Sequence, residues 1–264
     1  MITSSSNQKM KNLIQLMKKS KERKKQGVFV VEGTKMFSEA PKEWIENVYA
    51  SESFLSVPEH RALLKEYSYE TVADAVFKAV SDTQTPQGVL AVVRMPVYEF
   101  DELFDGDKTQ LLILESIQDP GNLGTMIRTG EGAGMTGIIM NHTTVDLFNP
   151  KTIRSTMGSI YRIPFWITED LAGTIEQVKG KGVSLYAAHL KGKKNYDEPD
   201  YTKPCGFLIG NEGNGLTDKT AQQSDEYIRI PMEGEVESLN AAISATLLMY
   251  ECHRQRRRKN ENLV

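Results

Sequence analysis

Three stretches of the sequence combine sharp backbone turns with polar side chains able to meet a ligand. Asp119-Pro120-Gly121-Asn122-Leu123-Gly124 is a turn signal, and Arg128 follows Asn122 by nearly two turns of any helix that begins there. Gly210-Asn211-Glu212-Gly213-Asn214-Gly215-Leu216 is a glycine-rich loop whose backbone can approach a ligand more closely than side chains would allow. Ile230-Pro231-Met232 leads through a glycine-bearing loop to Ser238-Leu239-Asn240 at a helix start. The chemistry on offer is ligand binding by exposed backbone, with amides, a carboxylate and a guanidinium at its edge. Each stretch alone also has a plain structural reading. Asn122 and Ser238 fit helix caps, the glycines fit turns, and Arg128 fits an ion-pair partner of Glu131 or Glu115. Three similar junctions, each after a strand candidate, argue together for one shared site.

Other chemistries find no support. Gly132-Ala133-Gly134-Met135-Thr136-Gly137 matches the dinucleotide pattern G-x-G-x-x-G, but that mechanism needs a strand before the glycines and a helix after them. Here a helical pattern over 123–131 precedes and a strand candidate over 137–140 follows, so the glycines end a helix. His60, His142, His189 and His253 pair neither with one another nor with cysteines at zinc-ligand spacing, and no metal site is expected. There is no G-x-S-x-G elbow and no P-loop lysine. Cys205 and Cys252, the only two cysteines, fit packed thiols of a reducing compartment. With no apolar run of about 20 residues and no signal-peptide core, the reading is a cytoplasmic protein away from membranes.

The elements that must position these junctions fall into an α/β pattern. Strand candidates are 111–115, 137–140, 165–168, 183–187, 207–209 and 227–231, separated by helical segments and closed by a long helix from about Ser238. That rhythm predicts a mainly parallel sheet binding ligands beyond its strand C-termini. Residues 1–97 form a separate small α/β domain, 98–107 an acidic linker, and 108–264 the second domain. The first domain opens on a basic amphipathic helix over 7–26, with Met10, Leu13, Ile14 and Met17 on one face and Gly27 at its end. The net charge of −3 hides a cationic cluster over 9–25 and terminal arginines at 254–258. Such clusters suit a local polyanion-binding surface, but composition alone leans slightly toward a solvated helix and a disordered tail.

Asn122 with Arg128, Gly210-Asn211-Glu212-Gly213, and Ile230-Pro231-Met232 with Ser238-Leu239-Asn240-Ala241-Ala242 together resemble the three motifs of SpoU (TrmH-like) RNA 2′-O-ribose methyltransferases. Residues 145–151 and 154–159 resemble the family's stretch between its first two motifs, so the likeness spans 108–255. Lys24 to Gly33 resembles a ribosomal-protein-like RNA-binding companion domain. The resemblance implies a C-terminal trefoil knot of the SPOUT type, a feature that periodicity cannot reveal. It further implies S-adenosylmethionine as cofactor, structured RNA as substrate and a homodimer.

Carried over by resemblance, Arg128, Asn122, Glu212, Ser238 and Asn240 form the catalytic site. Gly210, Asn211, Gly213, Ile230, Met232 and Leu239 hold the cofactor, and Lys18, Lys19, Lys24 and Lys25 become RNA contacts. Arg128 is too basic to be a general base, which leaves it the phosphate and the developing alkoxide. The proton acceptor is then phosphate, Glu212 or water. The expected reaction is methyl transfer to a ribose 2′-hydroxyl, with ribosomal RNA preferred over transfer RNA by analogy. The alternatives are a knotted base methyltransferase and a non-catalytic RNA-binding or assembly factor.

Overall fold

A computed structural model describes the fold of residues 1–261, which divides into two compact units. Residues 1–97 group with 146–161 in the first, and 98–145 with the chain from Arg162 onward in the second.

In the first unit, α1 (Gln8–Lys18) and α2 (Ser20–Gln26) replace the single helix expected over 7–26. The break is Lys19, whose backbone is extended at φ −122° and ψ 113° while its amide bonds to the Gln15 carbonyl. Its cause is legible afterwards. α1 buries Met10, Leu13, Leu16 and Met17, whereas Ser-Lys-Glu-Arg-Lys-Lys-Gln has no apolar residue to continue that stripe. α2 is held instead by Arg23, only 2% exposed, which donates to the Leu16 and Met17 carbonyls at 2.5 and 3.2 Å and pairs with Asp146. Gly27 ends α2 in the left-handed conformation, φ 66°, as its position suggested.

The chain continues through β1 (Val28–Glu32), α3 (Thr34–Glu39), β2 (Ile45–Ser51), α4 (Glu52–Ser56), α5 (Pro58–Leu63), β3 (Tyr69–Val72), α6 (Asp74–Val80) and β4 (Val89–Arg94). The sheet order is β1-β4-β2-β3, with β4 antiparallel to both neighbours and β2 parallel to β3. The α1 stripe packs on Val30, Leu90, Val92 and Phe77. The sequence reading missed β3 and α4–α6, which are short and carry mixed polarity.

The remaining elements are β5 (Gln110–Leu114), α7 (Pro120–Gly132), β6 (Gly137–Asn141), α8 (Pro150–Thr156), β7 (Phe165–Thr168), α9 (Leu171–Gly180), β8 (Ser184–Ala188), β9 (Lys194–Asn195), β10 (Cys205–Ile209), α10 (Asp218–Ala221), β11 (Glu226–Arg229) and α11 (Ala241–Glu261). α8 belongs to the first unit, where Phe148 beside it packs on Phe29 of β1 with ring centroids 4.9 Å apart. The seven strands of the second unit run in the order β7-β6-β5-β10-β8-β11-β9, and every pairing is parallel. Parallel strands send all their C-terminal loops to one edge, so 115–119, 189–193, 210–217 and 230–240 emerge together there. The fold class is thus the expected one: a small α/β unit followed by a parallel α/β unit.

Two expectations about the C-terminus change. α11 starts at Ala241, not Ser238, because Asn240 is its cap: Oδ1 accepts from the amides of Ala242 and Ile243 at 2.8 and 3.3 Å. The arginines do not form a disordered tail over the described residues. Arg256 donates to the carbonyls of Tyr201, Lys108, Thr109 and Lys203 at 2.5–3.0 Å, riveting α11 to the loops before β5 and β10. Cys205 and Cys252 are buried free thiols with sulfurs 3.6 Å apart. Among the described residues, no helix is long and apolar enough to cross a membrane.

Candidate active site

The three junctions meet through a short chain of hydrogen bonds. Asp119, not Asn122, caps α7, its Oδ1 accepting from the Asn122 amide at 2.8 Å. Asn122 therefore sits inside the first turn with its side chain free for other work. Its Nδ2 donates to Glu212 Oε1 at 3.0 Å, and its Oδ1 accepts from Asn240 Nδ2 at 3.0 Å. One amide thus bridges the β5, β10 and β11 junctions. Packing of α11 on α7 sets this geometry, with a Thr246–Thr129 hydroxyl bond of 3.1 Å along the contact.

Glu212 is the anchor of the cluster. Besides Asn122 it accepts from the backbone amides of Gln118 and Asp119 at 2.9 and 3.0 Å. Partial burial works to raise its pKa, but the bonds from Asn122, Asp119 and Gln118 outweigh that and hold it below the usual carboxylate value. It is a committed, ionised acceptor.

The Gly210–Leu216 loop is folded back on itself. Asn211 and Gly215 exchange backbone hydrogen bonds of 3.1 and 2.8 Å. Asn211 Oδ1 accepts from the Gly213 and Asn214 amides, and its Nδ2 reaches the Ser116 carbonyl at 2.9 Å. At Gly210 a Cβ would lie 2.1 Å from both the Gly215 carbonyl carbon and the Leu216 nitrogen, so only glycine fits this crossing.

The third junction is different. Met232, 36% exposed, and Ser238 stand in solvent, while Ile230 and Leu239 are half-buried. Residues 231–240 lie outside any helix or strand. Ser238 makes no hydrogen bond among the described residues and does not join the Asn122–Glu212–Asn240 cluster. Arg128 is exposed on α7, about 9 Å along the axis from Asn122. Its suggested partners are taken: Glu131 pairs with Arg162, and Glu115 is bound to threonines. Among the described residues Arg128 has no ion pair. In the first unit, Lys18, Lys19, Lys24 and Lys25 are all exposed. Of their cationic neighbours, Arg23 is buried and Lys9 is paired with Glu70.

Two residues that hold the site escaped the sequence reading. Glu115, 9% exposed, accepts from the Thr217 amide at 2.8 Å and from the Thr217 and Thr220 hydroxyls at 2.9 and 2.6 Å, clamping the return of the Gly210 loop. Ser116 adopts φ 57°, unusual outside glycine, and is fixed by Asn141 and Thr143. A lone acid ending an apolar strand was the signal for the first; Ser116 gave none.

Residues 109–250 match the model of the SpoU rRNA Methylase family, and residues 7–91 match an MRM3-like substrate binding domain. A 23S rRNA (guanosine(2553)-2′-O)-methyltransferase, RlmP, of Bacillus subtilis is 32% identical over 94% of this chain and 97% of its own. The SpoU methyltransferase AviRb of Streptomyces viridochromogenes, solved with AdoMet, superposes with a TM-score of 0.87 at 27% identity, over 95% of this chain and 98% of that one. An AdoMet-bound rRNA methyltransferase of Sinorhizobium meliloti gives 0.84 at 31% identity, over 96% and 97%. Three junctions tied together at one sheet edge, a family model across more than half the chain and a full-length relative above 30% identity agree: this chain belongs to the SpoU rRNA methylase family.

Proposed function

We propose that the protein transfers a methyl group from S-adenosylmethionine to a ribose 2′-hydroxyl of structured RNA, with ribosomal RNA preferred over transfer RNA. The observation that carries this reading is the Asn240–Asn122–Glu212 chain, which unites the three junctions at one edge of the parallel sheet. The residues there suit the cofactor. Ile230, Met232 and Leu239 offer apolar surface to a flat adenine beside the irregular backbone of 231–240. Gly210, Asn211 and Gly213 would hold the rest from a loop that is already folded. S-adenosylmethionine supplies a methyl made electrophilic by its sulfonium, so the chemistry calls for no metal.

The chain's own groups must bind RNA, align the ribose oxygen and manage its proton. That oxygen gains the methyl and loses its hydrogen. Arg128, exposed and with no ion pair among the described residues, is the proposed group to grip an RNA phosphate and stabilise charge developing on the oxygen. Its guanidinium, with a pKa above about 12, does not take the proton. Nor does Glu212, whose oxygens already serve three donors and whose pKa is held low. Phosphate or water is left as acceptor. In this reading Asn240, and Ser238 from its solvent-exposed position, border the site before α11, and Lys18, Lys19, Lys24 and Lys25 contribute RNA contacts.

The same reading includes a C-terminal trefoil knot, a substrate-binding domain at 1–97, a methyltransferase domain at 108–264 joined through 98–107, a cytoplasmic setting and a homodimer. By contacts, however, 98–107 packs with the second unit and 146–161 with the first. Ile243 and Tyr250, 49% and 44% exposed and seven residues apart on α11, favour pairing with a second copy, which light scattering would measure. The functional test is calorimetric titration with S-adenosylhomocysteine, followed by methyl transfer to unmodified ribosomal RNA and nuclease digestion of the product. Saturable binding, weakened in Asn240→Ala and spared in Arg128→Ala, with a nuclease-resistant 2′-O-methyl linkage, is the expected result. A methylated base would assign the chain to the base-modifying alternative. RNA binding without any cofactor binding would assign it to assembly.

A further inference from the structure

β8 lies between β10 and β11 in the sheet, so the loop that leaves it emerges between the two loops assigned to the cofactor. This loop, His189-Leu190-Lys191-Gly192-Lys193, is a stiff cationic projection rather than a slack connection. The His189 amide bonds to the Ile228 carbonyl at 2.9 Å, and the Gly192 amide closes a turn onto the His189 carbonyl at 2.9 Å. Nδ1 of His189 accepts from the Lys191 amide at 3.1 Å, while its ring packs on Tyr227 at 4.9 Å. Gly192 lies against β11: a Cβ there would stand 2.6 Å from the Ile228 carbonyl carbon and 2.8 Å from the Arg229 nitrogen. β9 then pairs with β11 and fixes the far end of the loop.

The outer face of the loop is what lacks a structural purpose. Leu190 is 70% exposed. Lys191 and Lys193 are exposed and have no ion pair among the described residues, whereas Lys194 is used by Glu226 at 2.8 Å. Two unpaired cations and an apolar side chain, pre-positioned at the catalytic edge, match a nucleic-acid backbone, which offers phosphates spaced along apolar sugar faces.

We propose that the 189–193 loop is a second RNA-binding element, in the methyltransferase unit itself. Lys191 and Lys193 engage phosphates flanking the target nucleotide, and Leu190 packs on an adjacent sugar or base. The proposal rests on RNA being the substrate and adds where, at the catalytic edge, RNA is gripped. The competing role for the lysines is to pair with the exposed Glu233, Glu235 and Glu237 of the neighbouring loop and so organise cofactor binding.

The test compares the full-length protein with Lys191→Ala/Lys193→Ala, Lys191→Arg/Lys193→Arg and Leu190→Ser. Binding to unmodified ribosomal RNA transcripts is measured by fluorescence anisotropy across a salt series, and S-adenosylhomocysteine binding by calorimetry. The alanine pair is expected to lower RNA affinity about tenfold or more and to flatten the log–log salt slope by roughly 1.4–1.8, about 0.7–0.9 for each lost phosphate contact. The arginine pair should restore both. Leu190→Ser should weaken binding without altering the slope, and cofactor-product affinity should stay unchanged throughout. An unchanged slope in the alanine pair overturns the proposal, as does a parallel fall in S-adenosylhomocysteine affinity, which would assign the lysines to the glutamate loop. Wild-type protein that binds the cofactor product but no RNA would overturn the RNA reading itself, and this proposal with it.

Discussion

The first two junctions of the site and the third are built on opposite principles. At 115–122 and 210–217 nearly every polar side chain already has a protein partner: Glu115 with Thr217 and Thr220, Asn211 with Ser116, Glu212 with Gln118, Asp119 and Asn122. Along 231–239 the chain forms neither helix nor strand, and its side chains face solvent or are half-buried. Arg128 shares that openness from the exposed face of α7. A site that must read a cofactor and then a large RNA benefits from both. The closed part stores the geometry and so spares the cost of ordering it on binding, while the open part keeps its donors available to ligands. Substitutions in the two parts should therefore fail in different ways.

The largest effect is expected at Gly210. A methyl there collides with backbone of Gly215 and Leu216, which no side-chain rotation can relieve. Gly210→Ala should lose measurable S-adenosylhomocysteine binding by calorimetry and melt earlier or less cooperatively by circular dichroism. A variant that binds and melts like wild type would mean the closed junction is softer than its contacts imply. Arg128→Ala should come next and fail in the opposite manner. Single-turnover methyl transfer should fall about 100- to 1000-fold, the range for losing one preorganised electrostatic contact, with melting and cofactor-product affinity unchanged. Transfer at near wild-type rate would remove Arg128 from the chemistry.

Glu212→Ala should cost cofactor-product affinity about tenfold or more, since a charged acceptor leaves two backbone amides and Asn122 unpaired. Glu115→Ala tests the clamp behind it. Removing this buried carboxylate strands the Thr217 amide and leaves the Thr217 and Thr220 hydroxyls only each other, at a cost of about 2 kcal/mol and a fall in melting temperature of roughly 4–8 °C. If both variants leave stability and binding untouched, the contrast between closed and open junctions has no energetic content.

The contrast also explains what could be read from sequence. The parallel α/β pattern was legible because buried strands such as Gln110–Leu114 and Cys205–Ile209 are apolar runs bounded by turns. The three junctions were legible because glycines and amides cluster at their ends. What escaped depends on partners remote in sequence. Asn122 reads as a cap until Asp119 is seen to hold that place, and Asn240 takes the cap assigned to Ser238. Arg23 reads as one more surface cation until Asp146, far along the chain, is found against it. The break at Lys19 follows from an absent apolar stripe, which a window centred on α1 overlooks. Arg256 reads as tail because nothing local shows the four carbonyls that it binds.

The smallest effect, and the most specific to the closed junction, is in pH. The folded protein holds the Glu212 pKa below its ordinary value, against the pull of partial burial, through the bonds from Asn122, Asp119 and Gln118. A depressed carboxylate favours the folded state most once the unfolded chain would itself be ionised, above about pH 4.3. Its contribution is therefore complete from neutral pH down to about pH 5, and is lost as pH falls through the lower folded value. The difference in melting temperature between wild type and Glu212→Gln should accordingly stay level from pH 8 to about pH 5 and shrink on further acidification. A difference that instead grows on acidification would mean that the folded site raises the Glu212 pKa rather than lowering it, making its carboxylate a stronger base and returning it to the candidates for accepting the ribose proton.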